Sequence, residues 1–158
     1  MTHARLALLG VAAIFLDQAT KAAALSVLTP GLSVAVLPGF ALTLDFNEGA
    51  SFGMLSGVMA GRPWAMAALA GTITLVIAIL AWRSRHPVEA AGLALIVGGS
   101  LGNIADRLRQ GAVTDFLDVH WRDWHWPAFN LADVAITIGA ALIVVSALPG
   151  LRKGHGHA

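Results

Sequence analysis

Four long apolar stretches, spaced along a chain of 158 residues, dictate what this sequence can fold into. They lie near residues 6–28, 63–82, 88–105 and 131–149. Each approximates the ~20 residues that a helix needs to cross a hydrocarbon core of about 30 Å. Inside lipid every backbone N–H and C=O must be paired within the chain, and helices do this segment by segment. The sequence therefore predicts an integral membrane protein, mainly α, with four transmembrane helices. Charge agrees: 12% of the residues are Asp, Glu, Lys or Arg, against roughly a quarter in a soluble domain.

The first stretch also has the outline of a cleaved signal peptide, with His3 and Arg5 ahead of an apolar run and small residues at Ala22–Ala24. Asp17 and Lys21 interrupt it where a cleavage region is small and neutral, so it is retained as a span. The expected organisation is one membrane domain over residues 1–158, with long connections at 29–62 and 106–130 and a flexible tail at 150–158. Four spans place both termini on one side. Arg5, the basic connector Arg83-Ser84-Arg85-His86 and Arg152-Lys153 then share a compartment, which the positive-inside rule makes the cytoplasm. No Lys/Arg stripe interleaved with aromatics is present, so nucleic acid is not an expected partner. Cysteine is absent, which removes disulfides and thiolate chemistry together.

The two long connections carry pattern of their own. Leu32–Leu37 and Phe40–Phe46 are short, partly alternating runs split by Pro38-Gly39, which predicts a β-hairpin lying on the membrane surface. Val113–Val119 offers a further strand, so the spans should carry a small extracytoplasmic β-cradle. Trp121, Trp124 and Trp126 follow, as expected of an aromatic belt at the water–lipid boundary.

Five of the nine carboxylates fall between Asp106 and Asp133. Asp133 sits just inside the fourth span, three residues after Asn130, where Asn130 can cap the helix and the free amides favour a carboxylate. Asp115 has Val113, Phe116 and Leu117 around it and no adjacent base, so desolvation should raise its pKa. Asp118, near His120 and Arg122, is better solvated or paired; on an extended strand it cannot share a site with Asp115. Two carboxylates sharing one proton can activate water against a peptide bond, one taking a proton from water and the other protonating the carbonyl oxygen. Asp106 has Arg107 and Arg109 beside it and reads as a structural ion pair. Asp17 and Lys21, at i and i+4, read as a polar clamp facing the bundle interior.

Other chemistries are weaker. Gly49-Ala50-Ser51-Phe52-Gly53 matches G-x-S-x-G, but the strand–turn–helix of a nucleophile elbow is missing. A tight turn there would let backbone approach a substrate, with Asn47 free to bond an extended peptide. Asp115, Asp118, His120, Asp123 and His125 offer oxygen and nitrogen donors, yet no H-E-x-x-H or similar spacing occurs, so no catalytic metal and no cofactor are expected. A proton-conducting transporter would need ionisable residues at mid-membrane depth in several helices; only Asp17 and Lys21 read as deep. A chaperone that binds lipidated peptides without cutting them is a further alternative.

Five motifs occur in a fixed order: Asp17-Gln18-Ala19-Thr20-Lys21, Asn47–Gly53, Gly98–Arg107, Val113-Thr114-Asp115-Phe116 and Phe129-Asn130-Leu131-Ala132-Asp133. Together they resemble the bacterial lipoprotein signal peptidases (signal peptidase II), over nearly the whole chain. The resemblance implies a four-helix aspartyl protease of the bacterial inner membrane, with cytoplasmic termini and an extracytoplasmic active site. The implied substrate is a diacylglyceryl-modified prolipoprotein cut just before its lipidated cysteine. Asp115 and Asp133 match the catalytic pair. Asn47, Gly49, Asn103, Asp106, Arg107 and Asn130 match the supporting and substrate-binding residues. Membrane lipids and globomycin-type cyclic peptides are implied partners, and a monomer is the expected state. Thr114, at a usually apolar position, and the extra acid Asp118 are mild departures.

Overall fold

The computed structural model describes residues 1–49 and 62–148. Among them the element order is α1 (His3–Val27), β1 (Val34–Leu37), β2 (Phe40–Asn47), α2 (Pro63–Arg83), α3 (Pro87–Gln110), β3 (Val113–Trp121), β4 (Trp124–His125) and α4 (Leu131–Ala147). Ser51 with most of its glycine motif, and the tail, lie outside the described residues.

Local chemistry sets the boundaries. Proline opens both α2 and α3, where its missing N–H costs nothing. The end of α3 is a left-handed cap at Gly111, whose N–H returns to the Arg107 carbonyl. Asn130 and Asp133 form a full capping box at the start of α4. Helices α1, α2 and α3 are long and apolar enough to cross a membrane, and α4 is a shorter apolar helix. α3 runs on past the end of its apolar stretch, so Asp106 and Arg107 are helical rather than part of the connection.

α3 is the central element, packing against α1, α2 and α4. Close approach is possible because glycines line it. A Cβ on Gly99 would lie 2.5 Å from the Ala132 carbonyl of α4, and one on Gly102 would lie 2.5 Å from Asp17 Oδ2 of α1. In a bilayer, where apolar surface gives helices no reason to associate, such backbone contact supplies packing energy. Large side chains point outward instead: Phe15 is 71% and Val144 65% exposed, as a lipid-facing surface requires.

The strands form one antiparallel sheet in the order β1-β2-β3-β4. The predicted hairpin is present, with the Pro38-Gly39 turn and Gly39 at φ 81°. β2 pairs with β3 through a register shift between Leu42 and Asp45, which sets Asp45 opposite Asp115. The segment after β4 returns along β3: the Phe116 and Leu117 N–H groups both donate to the Phe129 carbonyl. That return carries Asn130 to the side of Asp115.

Candidate active site

Asp115 is 2% exposed. Its Oδ1 accepts from Asn130 Nδ2 at 2.6 Å, and its Oδ2 accepts from Asn47 Nδ2 at 3.2 Å. Asp133 accepts from Asn103 Nδ2 at 3.0 Å through Oδ1 and from the Asn130 backbone N–H at 3.2 Å through Oδ2. Asn130, fully buried, thus holds one carboxylate with its side chain and the other with its backbone. Burial, reinforced by the Asp133 charge, pushes the Asp115 carboxyl up to about 7; the Asn47 and Asn130 hydrogen bonds and Lys21 pull against it. Both carboxylates line a groove of about 520 Å³ whose walls include Asn47, Trp126, Phe129 and Ile136.

Beneath this pair lies a second polar layer. Lys21 Nζ sits 2.9 Å from Asp17 Oδ2, 2.9 Å from Asp106 Oδ2 and 2.8 Å from Asn103 Oδ1, which accounts for its three N–H donors. Lys21, Asp17 and Asp106 are all fully buried. Asp17 Oδ1 accepts the Ala132 N–H at the start of α4, and Asp106 accepts from Gln18 Nε2 and from the Thr114 N–H. Because Asn103 Oδ1 faces Lys21 and Asn130, its Nδ2 must face Asp133, so this layer orients a ligand of the upper one.

Several expectations need correction here. Lys21, not the adjacent arginines, is the main counter-charge of Asp106; Arg109 stands at 3.5 Å and is half-exposed. Arg107 points away, donating to the Gly49 carbonyl at 2.9 Å and the Asn103 carbonyl at 3.4 Å. One residue on, a helical side chain has turned by about 100°, so it leaves the face that Asp106 occupies. Asp17 and Lys21 do form the buried clamp expected, 2.9 Å apart, and Asp17 also reaches the first turn of α4 beside the other polar residues. Asn47 is engaged within the chain: besides Asp115, its Oδ1 accepts the Gly49 N–H at 3.0 Å. Of the two alternatives for Asp118, solvated or paired, the structure shows pairing: it is buried and faces His125 Nδ1 at 3.0 Å, with His120 Nδ1 at 3.8 Å. Thr114, also buried, accepts from Gln110 Nε2 at 2.7 Å, which explains a polar residue there. Gln110 was not singled out in the sequence, and Gln18 was given no role there beyond its motif, although it lies one turn ahead of Lys21 on a face already marked by charge.

An apolar helical bundle with a buried carboxylate pair at the mouth of a groove defines a class: a multi-pass membrane enzyme. Solved structures agree with that class. The chain is similar to a bacterial membrane enzyme determined by the in meso method at 2.3 Å resolution, with TM-score 0.79 and 28% identity over 99% of this chain and 95% of that one. A second such structure, at 1.9 Å, gives TM-score 0.75 and 29% identity over 93% and 94% of the two chains. The family model for signal peptidase (SPase) II matches residues 9–149. A lipoprotein signal peptidase of Burkholderia mallei is 49% identical over 140 residues, covering 88% of this chain and 84% of the relative. One of Paraburkholderia phymatum is 47% identical over 149 residues, covering 91% and 89%. The chain belongs to the signal peptidase II family, and is thus a protease of a multi-pass bacterial membrane type.

Proposed function

We propose that this protein is a membrane-embedded aspartyl endopeptidase that removes signal peptides from diacylglyceryl-modified prolipoproteins, cutting just before the lipidated cysteine. Family membership supports the removal of signal peptides from prolipoproteins. The observation that carries the aspartyl mechanism is the bridging of Asp115 and Asp133 by Asn130 at the groove. Asp133, with two donors on its carboxylate, takes a proton from water as the water oxygen attacks the scissile carbonyl carbon. Asp115 gives its proton to the carbonyl oxygen. The tetrahedral intermediate then collapses: the C–N bond breaks, the proton on Asp133 passes to the leaving nitrogen, and a hydroxyl proton returns to Asp115.

Asn47, Gly49, Asn103, Asp106, Arg107 and Asn130 are the supporting residues. Arg107, bonded to the Gly49 carbonyl, holds the residues just after β2 against α3. The apolar wall formed by Phe129, Val134, Ile136 and Ile138 suits acyl chains entering from the bilayer, and the same groove would take a globomycin-type cyclic peptide. We further read the chain as one domain of residues 1–158 with α4 as a fourth span. It acts as a monomer in the inner membrane, with cytoplasmic termini and the groove on the extracytoplasmic face.

Purified protein in detergent should cleave a diacylglyceryl-modified prolipoprotein and leave the unmodified precursor intact, as followed by gel shift. Equal cleavage of both would remove lipid recognition from this reading. Binding without turnover would favour the chaperone alternative.

The pH profile supplies a second test. Asp115 must be protonated to act as the acid, so kcat/KM should fall as pH rises through about 7. The Asn47 hydrogen bond favours the charged form, so Asn47→Ala should move that basic limb to higher pH while lowering activity. A limb that stays put or moves down would remove Asp115 as the proton donor. The same group ties stability to pH with a known sign. The folded chain keeps this proton after an unfolded one has released it, so the stabilisation it gives in acid is lost as pH rises through about 7.

A further inference from the structure

At the far end of the sheet from Asp115, three side chains converge for which the proposed reaction has no use. Asp118 and His120 are two apart on β3 and therefore share a face, and His125 on β4 stands directly opposite His120. The two imidazoles stack with centroids 5.0 Å apart and planes 25° apart. His125 Nδ1 lies 3.0 Å from both Asp118 oxygens, His120 Nδ1 lies 3.8 Å from Asp118 Oδ2, and the three donor atoms are all within 4.8 Å of one another. A tetrahedral zinc ion with bonds of about 2.0–2.2 Å places its ligands roughly 3.3–3.5 Å apart. The observed spacings bracket that value.

A second observation points the same way. His120 Nδ1 is shielded from solvent and has no hydrogen-bond partner among the described residues. The Asp118 carboxylate beside it is instead met by His125. An ion between the three groups would satisfy both Nδ1 atoms and the carboxylate together, leaving each Nε2 to carry its proton.

We propose that Asp118, His120 and His125 form a binding site for a divalent transition ion of the zinc type, which staples the β3–β4 hairpin. Two imidazoles and a carboxylate suit zinc, copper or nickel rather than magnesium or calcium, whose ligands are oxygens. The staple has work to do. The β3–β4 turn is a tight one whose first central residue is Arg122, at φ 54°, a left-handed conformation in which a non-glycine side chain is strained. This hairpin leads into the segment that returns Phe129 and Asn130 to Asp115. The ion takes no part in peptide-bond cleavage, so the site stands or falls independently of the proposed reaction.

The test uses the full chain in detergent with both tail histidines removed by His155→Ala and His157→Ala, which eliminates their competing donors. Equilibrium dialysis against Zn²⁺ followed by elemental analysis should find about one zinc per chain, as expected of a single protein-ligated site. Adding His120→Ala should weaken binding at least about 10-fold, since disturbing even the outer partners of a ligand costs that much. His125, whose side chain is 55% exposed, gives a variant that folds whatever happens at His120. His125→Ala should lose zinc to the same degree and should also lose the zinc-dependent rise in Tm, while prolipoprotein cleavage persists. No zinc on the tail-free chain, or histidine variants that bind zinc as tightly as the tail-free parent, would overturn the proposal.

Discussion

Asp115→Asn and Asp133→Asn should each abolish prolipoprotein cleavage while leaving a folded protein. Each carboxylate acts once as acid and once as base in the proposed cycle, and an amide can do neither. General acid–base catalysis contributes on the order of 10²–10⁴-fold, so each variant should lose at least that much. The double variant should lose little more, because the two groups work as a unit. Folding should survive: Asn keeps the shape of Asp, and burial already pushes Asp115 towards its neutral form. The new amide NH2 loses one accepted hydrogen bond at each site, so Tm should fall only modestly. Ser51→Ala is the control for the G-x-S-x-G alternative and should retain substantial cleavage. Cleavage surviving in either Asn variant, or lost in a folded Ser51→Ala, would sink the carboxylate pair.

How much of this arrangement could be read from the sequence depended on distance along the chain. The apolar helices, the Pro38-Gly39 hairpin and the strand at Val113 follow from local patterns of period and turn chemistry, and they are present as helices and strands. The pairing of Asn130 with Asp133 was legible for the same reason, because a capping box is written within four residues. Asp106 was not. Its charge looked like the end of an apolar stretch and its neighbours Arg107 and Arg109 looked like its partners. Yet α3 continues through it, because Lys21, Gln18 and the Thr114 N–H satisfy it from other elements. Contacts spanning more than eighty residues leave no periodic trace. Asp118 was legible as a paired acid near His120, but not its shorter contact: His125 lies across a turn whose register only the folded hairpin fixes.

Lys21→Met should be strongly destabilising, far more so than either Asn variant of the carboxylate pair. Methionine fills the space of the stem but removes the ammonium that meets Asp17, Asp106 and Asn103. Two fully buried carboxylates are then left without their shared cation. Breaking a buried ion pair from one side costs about 3–5 kcal/mol. At roughly 2–4 °C per kcal/mol for a chain of this size, Tm should fall on the order of 10 °C. The loss has a signature that simple cavity formation lacks: adding Asp106→Asn to Lys21→Met should recover part of it, since it removes one of the uncompensated charges, whereas two independent sites would only add. Activity should suffer beyond stability. Lys21 holds Asn103 Oδ1, and so keeps Asn103 Nδ2 on Asp133. Without it the amide is free to turn, and kcat should drop even at temperatures where the variant is fully folded. Strict additivity in the double variant, or an unchanged kcat, would mean that the lower polar layer only packs the bundle and does not position the upper one.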